Sequence, residues 1–167
     1  MKRIIIAGIH TEVGKTVVAT IITEALDGHY WKPVQCGKPQ DRDWVEQRLS
    51  RANRCYPEYI CLNEPLSPHL AANMGGISIK AKNISPPVCS APLIIEGTGG
   101  ILAPLNEIES WADAAALWGA AWILVHRHYL GSLNHFLLTV ESMKQRKLPI
   151  LGVVFNEKGN LEIISRC

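Results

Sequence analysis

Apolar residues along this chain form two kinds of pattern, and the two alternate. Short unbroken runs, such as Arg3 to Ala7 with its isoleucines, suit strands buried on both faces, where no polar alternation is needed. Between such runs, apolar residues recur at every third or fourth position. "KTVVATIITEALDG" places Val17, Ile21, Ile22 and Leu26 at helical spacing and stops at Gly28. The start of the chain therefore reads as strand, loop, helix. "HYWKPVQ" predicts a second strand, and "DRDWVEQRLSRA" a short helix with Trp44, Val45 and Leu49 on one face. "LSPHLAANMGG" predicts a helix opened by proline and closed by glycines. "SPPVCSAPLIIEGTGG" predicts a brief strand at Leu93 to Glu96 and then a glycine-rich turn. Trp111 to Ala121 reads as an alanine-rich helix, "WILVH" as a strand, "GSLNHFLLTVESMKQRK" as a helix, and "ILGVVF" as a final strand. Strands alternating with helices predict an α/β fold, with a mostly parallel sheet covered by helices on both faces.

Length and composition narrow this picture. With 167 residues the chain can bury one core, so a single domain over residues 1–167 is expected. Hydrophobic residues make up 47% and charged residues 19%, a globular rather than a disordered balance. The formal charge is +2 and its cations are scattered, which calls for neither nucleic acid nor a membrane surface. The longest apolar run, Ala114 to Val125, is shorter than the roughly 18 residues of a membrane-spanning helix. "MKRIIIAGI" lacks the cleavage pattern of a secretory signal and reads as the first strand. Cys36, Cys55, Cys61, Cys89 and Cys167 are odd in number and form no CxxC pair, which suits reduced thiols in a cytoplasm.

Candidate chemistry begins at Gly8 to Thr16, "GIHTEVGKT". The phosphate-loop pattern GxxxxGK[ST] puts Ile9 where its first glycine belongs, with Gly8 one position early. A loop between a buried strand and a helix can turn backbone N–H groups toward an anion. Lys15 would then reach the terminal phosphates and the Thr16 hydroxyl a magnesium ion. An ordinary strand-to-helix turn is the competing reading, and the agreement of motif with context favours a nucleotide. Glu96 follows "PLII" at the C-terminal end of a buried strand, where open α/β sheets bind ligands. Lys32 taken alone reads as a surface lysine at a strand end. Asp41 and Asp43 can each bind a metal or cap a helix. His126 and His128 share a strand face and His135 follows, but no motif supplies a third ligand, so they read as strand-end polar residues.

The loop spacing resembles that of dethiobiotin synthetases, whose usual text is GTDTxVGKT. Downstream, "YWKPVQCG" resembles the family's KPVxxG, "SPHLAA" its Ser-Pro-His segment, "EGTGG" its EGAGG, "LGSLNHFLLT" its LGxINHxLLT and "GVVFN" its GxxxN. These blocks keep the family's order over residues 2 to 156. The resemblance implies a cytoplasmic, homodimeric enzyme of biotin synthesis with a P-loop α/β fold. It would close a ureido ring on 7,8-diaminononanoate with CO2, ATP and Mg2+. In that family the diamine takes up CO2 as a carbamate, the γ-phosphate phosphorylates it, and the second amine displaces phosphate, so the protein mainly supplies position and charge.

By the same match, Thr11, Lys15 and Lys32 are implied as catalytic. Glu12, Val13, Gly14, Lys15, Thr16 and Val17 are implied to hold the nucleotide, with Asn156 reading adenine. Thr16, Asp43 and Glu96 are implied as the metal set. Cys36, Gly131, Ser132, Leu133 and Asn134 are implied to bind substrate, the last four holding its carboxylate across the dimer interface at a helix start, where free N–H groups favour an anion.

The chain departs from the pattern at three sites. His10 stands for the usual aspartate, Cys36 for a hydroxyl residue and Thr98 for the alanine of EGAGG. The family continues past the asparagine with a loop over adenine, whereas this chain ends at Cys167, so a domain short at its C-terminus is expected. Two alternatives stay open: a related P-loop amidoligase or partition-type ATPase, the latter usually carrying an early loop lysine that His10 does not supply, and a nucleotide-binding member without catalysis.

Overall fold

In the computed structural model the described residues are 2–156. Cys167 and the expected short C-terminus lie outside them. In chain order the elements are β1 (Arg3–Gly8), α1 (Lys15–Ala25), β2 (His29–Trp31), β3 (Val34–Cys36), α2 (Asp41–Glu46), β4 (Cys55–Tyr56), β5 (Ile60–Leu62) and α3 (Pro68–Met74). A 3-10 turn at Ala81–Asn83 leads to β6 (Leu93–Gly100), α4 (Trp111–Ala116), β7 (Ala121–His126), α5 (Ser132–Gln145) and β8 (Ile150–Phe155).

Six strands form one sheet in the order β4-β2-β6-β1-β7-β8, while β3 and β5 pair as a separate two-stranded sheet. Every ladder within both is parallel. Consecutive Ile4, Ile5 and Ile6 on the central β1 are each at most 2% exposed. Because neighbouring strand residues point to opposite faces, both faces are covered, as the unbroken apolar run requires. The chain leaves β1 toward β2 on one side and leaves β7 toward β8 on the other, so the C-terminal ends of β1 and β7 open on a crevice where such sheets take ligands. None of the helices among the described residues is long and apolar enough to cross a membrane.

Four predicted elements end elsewhere than the pattern suggested. "HYWKPVQ" is two strands in two sheets, broken at Pro33, which has no N–H for a ladder. The Trp111 helix stops at Ala116, and Gly119, with φ 59°, turns the chain into β7. The helix begun at Asp41 closes by Glu46. "EGTGG" is no turn: β6 runs straight through to Gly100. Short β4 and β5 carry too little pattern to be anticipated.

The core gathers the isoleucines of β1 and β6 with Trp111, Trp118 and Trp122. An imidazole is buried beside it. His126, at the end of β7, is fully buried between His128, Phe136 and Phe155, and neither ring nitrogen has a hydrogen-bond partner among the described residues. Burial, with His128 beside it, holds its pKa below the ordinary imidazole value. A group whose folded pKa lies below its unfolded one binds fewer protons when folded, so stability is fully present above the unfolded value, about 6.5, and is lost as pH falls below it. The thermal midpoint is therefore expected to drop between about pH 7 and 5, by at most roughly 1.4 kcal/mol of stability per pH unit from this group. Calorimetry should show the drop flattened in His126→Phe.

Candidate functional site

The loop after β1 explains the displaced glycine. A Cβ on Gly8 would come within 2.8 Å of the His10 carbonyl oxygen and of Val13 Cγ2, and within 3.0 Å of Lys15 Cδ. The loop thus folds back over position 8, and the close approach falls there. Ile9 needs no such freedom: it is 6% exposed and its N–H donates to the Val125 carbonyl at 3.2 Å. Left-handed turns fall at Glu12, φ 56°, and Gly14, φ 95°. Gly14 is doubly constrained, because a Cβ there would also collide with the Asn156 side-chain amide. That amide donates to the Val13 carbonyl at 3.0 Å, tying the end of β8 to the loop.

Lys15 opens α1 and is only 7% exposed. Its ammonium curls back to donate to the His10 carbonyl at 3.0 Å. Burial lowers its pKa to about 8, with nearby Glu96 pulling the other way. At neutral pH the amine is still a cation, held in the loop that a phosphate would enter.

Glu96 organises the opposite wall. Its carboxylate, 1% exposed, lies on β6 next to β1. Oε1 accepts from the Thr16 hydroxyl at 2.8 Å and from Lys32 Nζ at 3.5 Å. Oε2 accepts from the Tyr30 hydroxyl at 2.7 Å. Lys32 also makes an ion pair with Asp41. Burial pulls the Lys32 pKa down, but Glu96 and Asp41 outweigh it and the net direction is up, so Lys32 is a firm cation. Its own burial, and after it the same carboxylates, push the Tyr30 phenol well above its ordinary value, which keeps it a donor.

These groups border one cleft of about 1230 Å³. Thr11, Glu12, Gly14, Lys15, Thr16, Val17, Lys32, Cys36 and Glu96 all line it. Val13 sits beneath the loop at 1% exposure, and Asn156 stands behind Gly14. Burial raises the pKa of the Cys36 thiol, with Lys32 opposing, so it is a neutral SH rather than a thiolate. Gly131, Ser132, Leu133 and Asn134 are not on the cleft wall: they start α5, with Gly131 in the left-handed region at φ 90°.

The two aspartates separate clearly. Asp41 lines the cleft and holds Lys32, whereas the Asp43 side chain is 61% exposed and turns to Arg42 at 3.4 Å. Residues two apart on a helix lie a little over half a turn, about 200°, from each other and so cannot share a direction, and the first of them meets the cleft. The sequence also passed over Tyr30, Gln35 and Trp44. For Tyr30 a signal existed, since it stands two residues before Lys32 in an extended segment and strand alternation puts i and i+2 on one side.

The histidines pack rather than converge. His126 and His128 meet edge to face at 4.6 Å, while His135 Nδ1 bonds the Tyr129 hydroxyl at 2.7 Å and stacks on His10 at 6.1 Å. Among the described residues no group of three or more His, Cys, Asp or Glu could hold a metal by itself. Thr16, Asp41 and Glu96 nevertheless offer hard oxygen donors beside the loop. That set suits magnesium, which usually takes one or two carboxylates and completes its shell with phosphate oxygens and water.

Comparison with known proteins identifies the family and the fold. A family model described as an AAA domain matches residues 2–165. The chain is 46% identical over 157 residues to the ATP-dependent dethiobiotin synthetase BioD of Chlamydia pneumoniae, covering 93% of this chain and 71% of that protein. It is 43% identical over 161 residues to the protein of the same name from Brucella abortus, covering 95% and 76%. Among solved structures, a putative plasmid partition protein of Borrelia burgdorferi bound to AMPPNP superposes with a TM-score of 0.55 at 13% identity, over 99% of this chain and 81% of the other. That likeness concerns the fold.

The loop geometry makes one substitution diagnostic. Gly8→Ala sets a Cβ against backbone, which cannot step aside, and is expected to cost about 1–3 kcal/mol of stability. ATP affinity measured by calorimetry should fall by at least about tenfold as the loop shifts. An unchanged affinity would show that the crowding is harmless.

Proposed function

The chain belongs to the dethiobiotin synthetase family, and from that premise we propose that it is an ATP-dependent ligase that closes the ureido ring of dethiobiotin on 7,8-diaminononanoate with CO2. One observation carries the reading: at the mouth of a phosphate-binding loop the buried Glu96 holds Thr16 and Lys32, Asp41 joins through Lys32, and Lys15 lines the same cleft.

The chemistry needs little from the protein beyond place and charge. The loop N–H groups and the start of α1 form an anion cradle for the ATP phosphates. Lys15 leaves the His10 carbonyl for the phosphates, and its charge offsets the negative charge on the transferred phosphoryl group. Lys32, held from both sides by Asp41 and Glu96, faces the place where one amine of the diamine, carrying CO2 as a carbamate, meets the γ-phosphate. The carbamate oxygen takes the phosphoryl group, ADP leaves, and the second amine then attacks the carbamoyl carbon and expels phosphate, closing the ring. Thr16, Asp41 and Glu96 would hold the magnesium ion, which supplies charge neutralisation on the phosphate oxygens. In this assignment Asp41 replaces Asp43.

Thr11 and Cys36 lie where the polar end of the diamine would sit, the thiol giving a weaker hydrogen bond than a hydroxyl. Asn156, pinned to the loop through Val13, would read the adenine base. The start of α5 at Gly131 to Asn134 would serve the cleft of a second copy, binding the substrate carboxylate across a homodimer. The setting we propose is the cytoplasm.

Purified protein incubated with diaminononanoate, bicarbonate and Mg-ATP should form dethiobiotin, read by mass spectrometry. Tight ATP binding without product would favour a nucleotide-binding protein, and ATP turnover indifferent to the diamine would favour another P-loop ATPase. Lys15→Ala should abolish turnover and leave the circular dichroism spectrum intact. Asp41→Asn should raise half-saturating magnesium about tenfold or more, while Asp43→Asn stays near the parent. The reverse order of the two would return the metal role to Asp43.

A further inference from the structure

We infer that Tyr30 is a positioning residue for the metal-binding carboxylate: its hydroxyl locks Glu96 so that only Oε1 is presented to Thr16, Lys32 and a divalent cation. The inference rests on the reading of Glu96 as a metal-holding residue and gives a role to Tyr30, which stands two residues before the KPVxxG match begins at Lys32 and is assigned none by it.

The geometry is specific. Tyr30 pairs in register with Ile94 across the β2–β6 ladder, so it shares a face with Glu96, two residues further along β6. The phenol runs up that face and its hydroxyl ends on Oε2 at 2.7 Å. Tyr30 is 0% exposed and Glu96 is 1% exposed, so no water competes for that oxygen from outside. Thr16 and Lys32 both approach Oε1 instead. The two carboxylate oxygens therefore have separate tasks, one anchored inward and one turned to the cleft.

Without the hydroxyl, Oε2 would be a buried acceptor lacking its donor, and the nearest donors lie on the Oε1 side. The carboxylate would rotate to divide Thr16 and Lys32 between its oxygens, and the oxygen facing the cation would lose its fixed direction. Packing does not require the hydroxyl, because a phenyl ring fills nearly the same space. Tyr30 touches neither nucleotide phosphates nor the reacting amine, since it is absent from the cleft wall.

The test is Mn2+ binding in the presence of ATP, followed by electron paramagnetic resonance, alongside ATP binding without metal. Tyr30→Phe is expected to weaken Mn2+ binding about five- to tenfold, the scale of a lost hydrogen bond to a charged group that orients a ligand. Metal-free ATP affinity should stay within about twofold, a split that general loosening of the fold would not give. Should the phenyl variant fail to fold, 4-methylphenylalanine at position 30 fills the hydroxyl's volume without a donor and must show the same loss. 4-Aminophenylalanine restores a donor and should recover most of the affinity. Parent-like Mn2+ binding in the donor-free variants overturns the inference. Glu96→Gln separates this failure from a deeper one: if it too leaves Mn2+ affinity unchanged, the metal reading of Glu96 itself falls.

Discussion

A carboxylate buried to 1% exposure cannot stand alone, because removing an ion from water costs several kcal/mol unless partners replace the lost hydration. Glu96 meets that demand with a hydroxyl from α1, a hydroxyl from β2 and an ammonium from the end of β2. The partners arrive from α1 and from β2 with its end, so satisfying one carboxylate on β6 fixes how the first helix, β2 and β6 sit together at the C-terminal edge of the sheet. Lys32, itself buried, needs a second anion, and Asp41 supplies it by anchoring the start of α2. The functional mouth and the structural corner of the molecule are the same set of contacts. Breaking one partner leaves the others buried and unpaired, which is why such networks respond sharply to single changes.

The phosphate loop is held by a different constraint, that of space. Its backbone turns over Gly8, passes through two left-handed residues and closes against Asn156 from the last described strand. Here the glycines answer to what lies against them rather than to a fixed spacing. The familiar motif puts its first glycine one place later. In this chain the close approach falls at position 8, and the glycine stands there. The helix that follows starts on Lys15, so the cation and the free N–H groups point into one space.

Much of this was legible in advance. Unbroken apolar runs gave the central strands, because a strand buried on both faces leaves no room for polar alternation, and helical spacing gave α1 and α5. The ordered blocks around Lys15, Lys32 and Glu96 meet in one cleft. The errors share a cause. "HYWKPVQ" and "EGTGG" were misread because a ladder partner, or the lack of one, decides whether a short segment continues as a strand, and local composition does not record its neighbours. Asp41 and Asp43 looked equivalent because each is an acid near a helix start, and only the direction of the helix axis tells which one meets the cleft.

What the sequence determined by itself is therefore the alternation of strand and helix, the position of the anion-binding loop, and the family. These depend on periodicity and on residues close together along the chain, where backbone geometry alone sets the outcome. Tertiary structure decided which aspartate faces Lys32, that Tyr30 lies under Glu96, and that Asn156 bonds Val13. Those contacts join residues separated by 9, 66 and 143 positions. Their geometry comes from strand order and register, which the packing of the whole core selects, and no local pattern can carry it.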